Sequence, residues 1–483
     1  MKKETSKISP LLSFLPLLVL IVLLFSVVKV FGADAMSGAT QMALIIATAV
    51  CVGIALWKKV KWENLESEMS RQIFNVAPSI IILLLIGALS GIWMVSGVVP
   101  ILICYGIDLI HPSVFLASAC TICAIISVMT GSSWTTIATV GIALMGVGNA
   151  LGYSEGWTAG AIISGAYFGD KISPLSDTTV LASSSSDTPL FVHIRYMLFT
   201  TVPAFLLSVV IFTVVGLFFD VDEQTTSIEQ YSQIMCDTFN LNPWLLVVPI
   251  STGVLIAKKV PAAITIFLSA LMASVFALIF QMDNLICISG ETLDEYNELA
   301  VSLKGLLMSL YGQTSLESGS DIINNLIQTR GMAGMLNTIW LIMCAVIFGG
   351  CLKGSGMLDS ITGLFIKKIK GTVGLVGSTV ASGLFLNLST SDQYTSIVLN
   401  CEMYKHIYID KGYETRLLSR TTEDAVTVTS VLIPWNTCGM VQSTVLGVAT
   451  WVYLPFCLFN ILSPLVTLVI AILGYNIKIK KSS

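Results

Sequence analysis

Two hydroxyl-rich segments that carry carboxylates lie between long apolar runs of this chain. Segment 171–188 contains Asp177, and segment 419–430 contains Asp424. A carboxylate among hydroxyl and backbone carbonyl oxygens offers the ligands that a hard cation such as Na⁺ prefers. Partial burial disfavours the ionised carboxyl group, so the same group is also suited to carry H⁺. These residue types predict a site that holds either ion, but not both at once.

Asp177 is the preferred carboxylate because neutral oxygens adjoin it in the chain. Its neighbours are Ser176, Thr178 and Thr179, whereas an apolar Ala-Val pair follows Asp424. We expect Asp177 and Asp424 to occupy corresponding positions in two halves of the chain and both to bind Na⁺. The alternative is that both acids lie in solvated loops. That alternative explains one isolated acid better than two matched polar breaks, since intramembrane carboxylates are usually functional.

Further polar turns interrupt the apolar runs. Two helix ends that meet at such a turn present partial charges to a substrate. The candidate ligands are Ser132, Ser133 and Thr135 in the first half, and Asp392 and Asn436 in the second. A loop position is an equal alternative for Asp392, and a helix cap is the alternative for Asn436.

Basic side chains near these segments decide between substrate classes. Lys171, Arg195 and Arg420 would pair with an organic carboxylate if they faced the central cavity. Otherwise they are cytoplasmic anchors of the membrane helices. Asp187 and His193 are expected at a gate or at the surface, away from the bound ion.

Composition sets the class of protein. Hydrophobic residues make up 55% of the 483 residues, charged residues make up 11%, and the mean hydropathy is +0.85. A soluble domain has about 25% charged residues, so this composition predicts an all-α, multi-pass membrane protein. Basic patches for nucleic acid, nucleophile–base arrangements and phosphate-binding glycine loops are missing from the sequence. We therefore expect no enzyme, no ATP-driven pump and no cofactor.

The order of apolar runs predicts two inverted-topology repeats with re-entrant hairpins and broken helices. The repeats are residues 1–219 and 243–477, joined by an acidic outer linker, 220–242, and the second contains an outer loop, 282–333. Lysine clusters at the cytoplasmic ends of the runs place both termini in the cytoplasm.

The length and the charge of each apolar run predict whether it spans the membrane or folds back. Residues 112–154 contain no charged residue and would reach about 65 Å as one helix, twice the bilayer core. They must therefore fold back, and the polar stretch 131–136 is the predicted turn. The second turn is predicted at 387–393. The spanning helices are predicted at 11–30, 40–57, 78–98, 196–219, 243–257, 260–280, 335–352 and 450–475, and the broken pairs at 157–170 with 178–190 and at 421–438.

The run 160–179, GAIISGAYFGDKISPLSDTT, resembles the signature of the NhaC-type Na⁺/H⁺ antiporters. Segments 131–135 (GSSWT) and 432–439 (LIPWNTCG) are also similar to motifs of that family. The similarity covers the chain from about residue 75 to its end. It implies a transporter with two inverted repeats, and it marks as positions of interest Asp177, Thr178, Thr179 and Asp424.

One departure from the family pattern follows Asp424. The family tends to have Ser-Gly-Thr there, whereas this chain has Ala425, Val426 and Thr427. The loss of a hydroxyl and a glycine leaves the usual cation preference open. The family also includes exchangers of organic acids, such as malate for lactate, coupled to Na⁺ and H⁺.

The sequence therefore predicts exchange of Na⁺ for H⁺ across the cytoplasmic membrane. An exchanger of organic acids or amino acids coupled to these ions is the alternative. A channel is third, because broken helices with carboxylates suit an occluded site better than an open pore. The expected partners are Na⁺, H⁺, the lipid bilayer and, in the alternative, a small organic anion, and a homodimer is compatible with the sequence.

Overall fold

The computed structural model describes residues 8–31, 38–218, 233–258, 260–291, 297–318, 324, 327–367, 369 and 371–477. Within these ranges every regular element is a helix, and the β pairing is limited to an isolated bridge between Thr314 and Thr329. The all-α prediction is therefore confirmed. The lysines at both chain ends and most of the acidic linker lie outside the described residues.

Eight helices of the described residues are long and apolar enough to cross a membrane. A ninth candidate consists of Thr450–Phe456 and Leu458–Leu473, which meet at an angle of 53°. This number confirms a multi-pass membrane protein. The eight helices are Pro10–Phe31, Ala39–Trp57, Trp62–Val95, Pro112–Thr130, Leu190–Leu217, Ala262–Phe280, Met332–Gly354 and Gly371–Thr390.

Three predicted boundaries were wrong. The helix expected at 78–98 already begins at Trp62, because its polar first turns continue the helix outside the apolar run. The closing helix expected at 450–475 is bent at Cys457 rather than straight. In the second predicted turn, Asn387 still belongs to the preceding helix, and only Ser391 and Asp392 separate that helix from the next.

The first half contains the predicted hairpin and broken helix. Helix Phe115–Thr130 ends at the turn, and the returning arm comprises Ser133–Thr136, a π-helical turn Ile137–Gly141 and Ile142–Ala150. The broken helix consists of Glu155–Ile172 and Asp177–Ser185, and the half closes with Leu190–Leu217.

The second half repeats this order. Its hairpin is Gly371–Thr390 and Gln393–Asp410. Its broken helix is less regular, because Thr415–Thr422 continues as a π-helical turn, Glu423–Thr427, and a short 3₁₀ turn before Thr437–Leu446.

Corresponding elements of the two halves lie at a constant distance in the sequence. Helices begin at Glu155 and Asp177 in the first half and at Thr415 and Thr437 in the second, each 260 positions later. By this correspondence Asp177 matches Thr437, so Asp177 and Asp424 do not occupy equivalent positions. The repeat boundaries and the inverted orientation of the halves in the membrane stay predictions.

The remaining helices belong neither to the hairpins nor to the broken helices. Val98–Leu109 and Met357–Lys367 precede the two hairpins. Pro243–Ala257 is shorter than the spanning helices. The predicted outer loop contains two helices, Met282–Ser289 and Glu298–Tyr311, which pack on each other, and the second also packs on Trp62–Val95.

Close helix packing sets the hairpin of the first half against its broken helix. Gly165 and Gly169 leave no room for a Cβ beside the backbone of Cys120 and Ala124. Small residues at a helix interface let two backbones approach closely within a membrane. This packing brings Asp170, the next residue, to the level of the turn.

Candidate functional site

The first hairpin turn, residues 130–133, is called the first tip. Gly131 reverses the chain with φ of 67°. The Ser132 side chain caps the next helix by accepting a hydrogen bond from the Thr135 amide at 3.2 Å. The Thr130 hydroxyl accepts from the Ser132 amide at 3.0 Å and donates to the Ser132 carbonyl at 3.1 Å. The predicted turn is confirmed, and Ser132 and Thr135 are held by this capping network.

The second tip, residues 390–393, repeats this network 260 positions later. Ser391 reverses the chain with φ of 59°. A carboxylate oxygen of Asp392 accepts from the Thr395 amide at 2.8 Å. The Thr390 hydroxyl donates to the Asp392 carbonyl at 3.0 Å. The main chemical difference is that Asp392 stands where the first tip has Ser132, and its side chain is buried rather than in a solvated loop.

Asp170 joins the first tip to the break in the first broken helix. The Ser133 hydroxyl donates to its carboxylate at 2.7 Å. Asp170 is buried and belongs to the last turn of helix Glu155–Ile172. Sequence reasoning missed this residue as a candidate ligand, although an acid directly before Lys171 in an apolar helix was a visible signal.

The break itself is ordered by hydroxyl groups. Ser176 caps helix Asp177–Ser185 by accepting from the Thr179 amide at 3.4 Å. Its hydroxyl also lies 2.9 Å from that of Thr178. The Thr179 hydroxyl donates to the carbonyl of Lys171 at 2.9 Å, so it satisfies a carbonyl that the break leaves free. These residues therefore hold the two halves of the broken helix together.

Asp177 is exposed, whereas Asp170 and Asp392 are buried. Its charge acts on Asp170. The charges of Asp177, Asp170 and Asp392 all act on the side chain of Tyr394. These three carboxylates are thus all near enough to Tyr394 to interact with it electrostatically.

The second broken helix has unwound backbone carbonyls that are bonded by side-chain amides. Asn387 donates to the Val426 carbonyl at 2.7 Å, Gln393 to Thr427 at 2.9 Å, and Asn460 to Val428 at 2.7 Å. A buried carbonyl without a partner is costly, so these amides stabilise the unwound geometry.

Asn436 connects this segment to the second tip. Its side-chain oxygen accepts from the Cys438 amide at 3.1 Å, which makes it the cap of the next helix. Its side-chain nitrogen donates to the Asn387 carbonyl at 3.1 Å, and the Thr437 amide donates to the Ser391 carbonyl at 2.9 Å. In each half, therefore, the tip is bonded to the break of the same half.

Asp424 lies in a different environment, in a buried ion pair with Lys171. The hydroxyls of Thr200 and Ser463 lie 3.2 Å from one oxygen, and the hydroxyl of Thr467 donates to the other. Both oxygens are thus engaged in this conformation. The prediction that Asp424 binds Na⁺ stays a prediction.

Arg420 is fully buried beside the same pair. Its Nε lies 4.0 Å from Asp424, and its guanidinium stacks on the Tyr196 ring at 4.5 Å. None of its three nitrogens has a hydrogen-bond partner among the described residues. Arg195, by contrast, is exposed.

The two expected gate residues differ in burial. Asp187 has a side chain that is 68% exposed and forms an ion pair with Lys405 of the second hairpin. His193 is fully buried rather than at the surface, and its Nδ1 lies 2.8 Å from the Ser419 hydroxyl. Both contacts connect the first half to the second.

The region between the two tips and the surroundings of Asp424 differ in the basic groups that they contain. Among the described residues, Asp170, Asp177 and Asp392 form no ion pair with a lysine or arginine. The buried basic groups Lys171 and Arg420 instead lie at Asp424. The region between the tips therefore contains acidic side chains without a basic partner, together with neutral oxygens, and these groups suit a cation. No group of three or more His, Cys, Asp or Glu side chains in the described ranges forms a metal site.

The known proteins that this chain resembles are named as antiporters. The sequence profile of the Na⁺/H⁺ antiporter family matches residues 4–185 and 165–475. The malate-2H⁺/Na⁺-lactate antiporter of Bacillus subtilis is 34% identical over 86% of this chain and 85% of its own. The Na⁺/H⁺ antiporter NhaC of the same organism is 34% identical over 88% and 91%. NhaC of Alkalihalophilus pseudofirmus is 33% identical over 90% of each chain.

Proposed function

Because this chain belongs to the Na⁺/H⁺ antiporter family, a family of multi-pass proteins of the cell membrane, we propose that it exchanges Na⁺ for H⁺ by secondary active transport. The observation that carries the proposal is the set of acidic side chains between the tips that have no basic partner. Asp170 and Asp392 are buried there without a basic partner, while the buried basic groups lie at Asp424. A site lined by acidic groups alone attracts a cation and repels an anion.

The proposed Na⁺ site lies between the first tip and the first break. Asp170 and Asp177 supply the charge, and Ser133 already bonds to Asp170. The neutral oxygens come from the hydroxyls of Ser132, Thr135, Ser176, Thr178 and Thr179. Asp392 and Asn436 belong to the second half, each as the cap of a helix, and Asp392 interacts with the same tyrosine as Asp170 and Asp177.

Broken helices give such a site its access from either side. A rigid-body movement of one unit against another exposes a midplane site alternately to the two solutions. The tip-to-break hydrogen bonds join each hairpin to the broken helix of its own half, so each half can move as a unit. Exchange follows if this movement occurs only with Na⁺ or H⁺ bound.

Transport in proteoliposomes tests the proposal. With Na⁺ and H⁺ as the only transported solutes, an imposed Na⁺ gradient is expected to drive H⁺ movement in the opposite direction. A protonophore should abolish the resulting pH difference but not the uptake of labelled Na⁺. If proton movement appears only after an organic solute is added, simple Na⁺/H⁺ exchange is excluded.

Arg420 favours a second candidate, an exchanger of organic anions. Its guanidinium is buried without a hydrogen bond, and such a group binds a carboxylate well. One relative is named as an exchanger of malate and lactate. Added malate or lactate should then stimulate the flux, and Arg420→Gln should remove the stimulation while basal Na⁺/H⁺ exchange remains.

The orientation in the membrane is part of the same proposal. Both termini are cytoplasmic, because Lys58 and Lys59 follow helix Ala39–Trp57 and Lys353 ends helix Leu336–Gly354. Single cysteines introduced beside Lys58 should react with a membrane-impermeant reagent only after the cell membrane is opened. Labelling in sealed cells would contradict this topology.

A further inference from the structure

Glu423 is a buried carboxyl group that the proposed Na⁺ site does not use. It has no solvent exposure, and neither of its oxygens has a hydrogen-bond partner among the described residues. An ionised carboxylate in such surroundings is strongly disfavoured unless it is paired. This geometry requires a proton or a cation on the carboxyl group.

The neighbouring basic groups do not neutralise it. Lys171 is near enough to act on Glu423, but its ammonium group is paired with Asp424. Arg420 lies on the same segment, three positions earlier, and its guanidinium stacks on Tyr196 instead. Glu423 and Arg420 form no ion pair.

The neutral polar groups near Glu423 supply no compensating charge. The Thr427 hydroxyl lies close to the carboxyl group. The side-chain oxygen of Asn400 is unpaired, and its nitrogen is bonded to Thr422, which adjoins Glu423. The Thr427 hydroxyl can donate to the ionised form, whereas only a protonated carboxyl group can donate to an unpaired oxygen such as that of Asn400.

Glu423 and its neighbour Asp424 lie in irregular backbone. The segment Glu423–Thr427 is π-helical, and such turns often occur at functional sites. Successive side chains of a helix point in clearly different directions, so Asp424 meets Lys171 while Glu423 remains without an ion pair. The two adjacent acids therefore differ, because Asp424 is paired with a basic group and Glu423 is not.

The titratable groups around Glu423 are few. Asp170 and Lys171 act on it from the first broken helix, Asp424 from its own segment and Cys401 from the second hairpin. Helix Asp177–Ser185 also packs on the π-helical turn, with Asp177 at its start. Helix Thr415–Thr422 packs on it as well and contributes Arg420, whereas Gly371–Thr390 and Leu458–Leu473 contain no acidic, basic or cysteine residue.

We propose that Glu423 carries the exchanged proton at a site separate from the Na⁺ site between the tips. This inference rests on the proposed Na⁺/H⁺ exchange and names its proton-binding residue. Na⁺ and H⁺ then act on the same movement from two places, one in each half of the chain. The two ions compete through the conformation of the transporter rather than for the same oxygens.

Two partial reactions in proteoliposomes separate these sites. One is H⁺ movement driven by a Na⁺ gradient, and the other is exchange of labelled for unlabelled Na⁺ at equal concentrations. Glu423→Gln mimics the protonated acid, so we expect the first reaction to be lost and the second to remain and to lose its pH dependence. The matched control is Glu402→Gln, an exposed acid on the adjacent helix, which should leave both reactions unchanged.

Other outcomes overturn the assignment. Wild-type H⁺ movement in Glu423→Gln, or loss of Na⁺/Na⁺ exchange together with it, would each exclude a separate proton site at Glu423. If the Gln variant does not insert, Glu423→Asp decides, because a retained acid should keep H⁺ movement with a shifted pH profile, and an unshifted profile contradicts the proposal. If the wild-type protein itself exchanges Na⁺ but never moves H⁺, the proposed function fails, and the proton site fails with it.

Discussion

Lys171 of the first broken helix and Asp424 of the second form an ion pair with no solvent exposure on either side chain. The pair joins the two halves of the chain. Removing one partner of a buried pair leaves the other charge unpaired, which typically costs about 3–5 kcal/mol. Replacing both partners by neutral groups removes that penalty.

This pair gives a stability prediction. Lys171→Met and Asp424→Asn should each lower the melting temperature of the detergent-solubilised protein strongly, and the double variant should be more stable than either single one. A double-mutant cycle of thermal unfolding measures the coupling. The control is the exposed pair Lys304 and Glu291, for which Lys304→Met should change stability by less than about 1 kcal/mol. Additive effects at Lys171 and Asp424 would show that the pair does not couple the halves.

The proposed Na⁺ ligands give a transport prediction. Asp177→Asn keeps the size of the side chain and removes its charge, so coupled exchange should vanish while folding is unaffected, because Asp177 is exposed. Asp170→Asn should also abolish Na⁺ binding, since it removes the charge that Ser133 contacts. Labelled Na⁺ uptake in proteoliposomes measures both effects.

The control for these substitutions is Asp187→Asn. Asp187 is paired with Lys405 at an exposed position, so its loss should reduce transport only slightly. Full Na⁺-dependent proton flux in the Asp177→Asn protein would refute its assignment and direct attention to Asp170 and Asp392.

The sequence predicted the helical class, the first turn and the polar breaks, because these features depend on local composition. Gly131, for example, marks a reversal that any long uncharged run must contain. The partners of individual side chains could not be predicted in this way. Lys171 and Asp424 are 253 positions apart, and only the packing of four helices brings them together. Glu423 and Asp424 are also adjacent in sequence, and only the packing of neighbouring helices decides that Asp424 meets Lys171 while Glu423 does not.

The unwound carbonyls of the second broken helix give another stability prediction. Asn460→Ala should leave the Val428 carbonyl buried without a donor, at a cost of about 1–3 kcal/mol. The expected result is a lower melting temperature and weaker transport, because the unwound segment adjoins Glu423. Asn149→Ala is the control, since Asn149 is exposed and its loss should have little effect. Equal melting temperatures for the two variants would contradict a supporting role for Asn460.

The first tip should tolerate no side chain at Gly131. Its φ of 67° is in the left-handed region, where a non-glycine residue costs about 1–2 kcal/mol, and an added Cβ would lie 2.6 Å from the Leu175 backbone. Gly447 has a φ of 71° with nothing within 4 Å of an added Cβ, so Gly447→Ala has the same backbone strain without the collision. The loss of stability that is due to backbone strain should therefore be similar in the two variants. Gly131→Ala should in addition push the tip away from the break, separating Ser133 from Asp170, and reduce Na⁺ uptake by about tenfold or more. Uptake that is equally reduced in both variants would show that backbone strain alone matters and that contact between tip and break does not position the Na⁺ ligands.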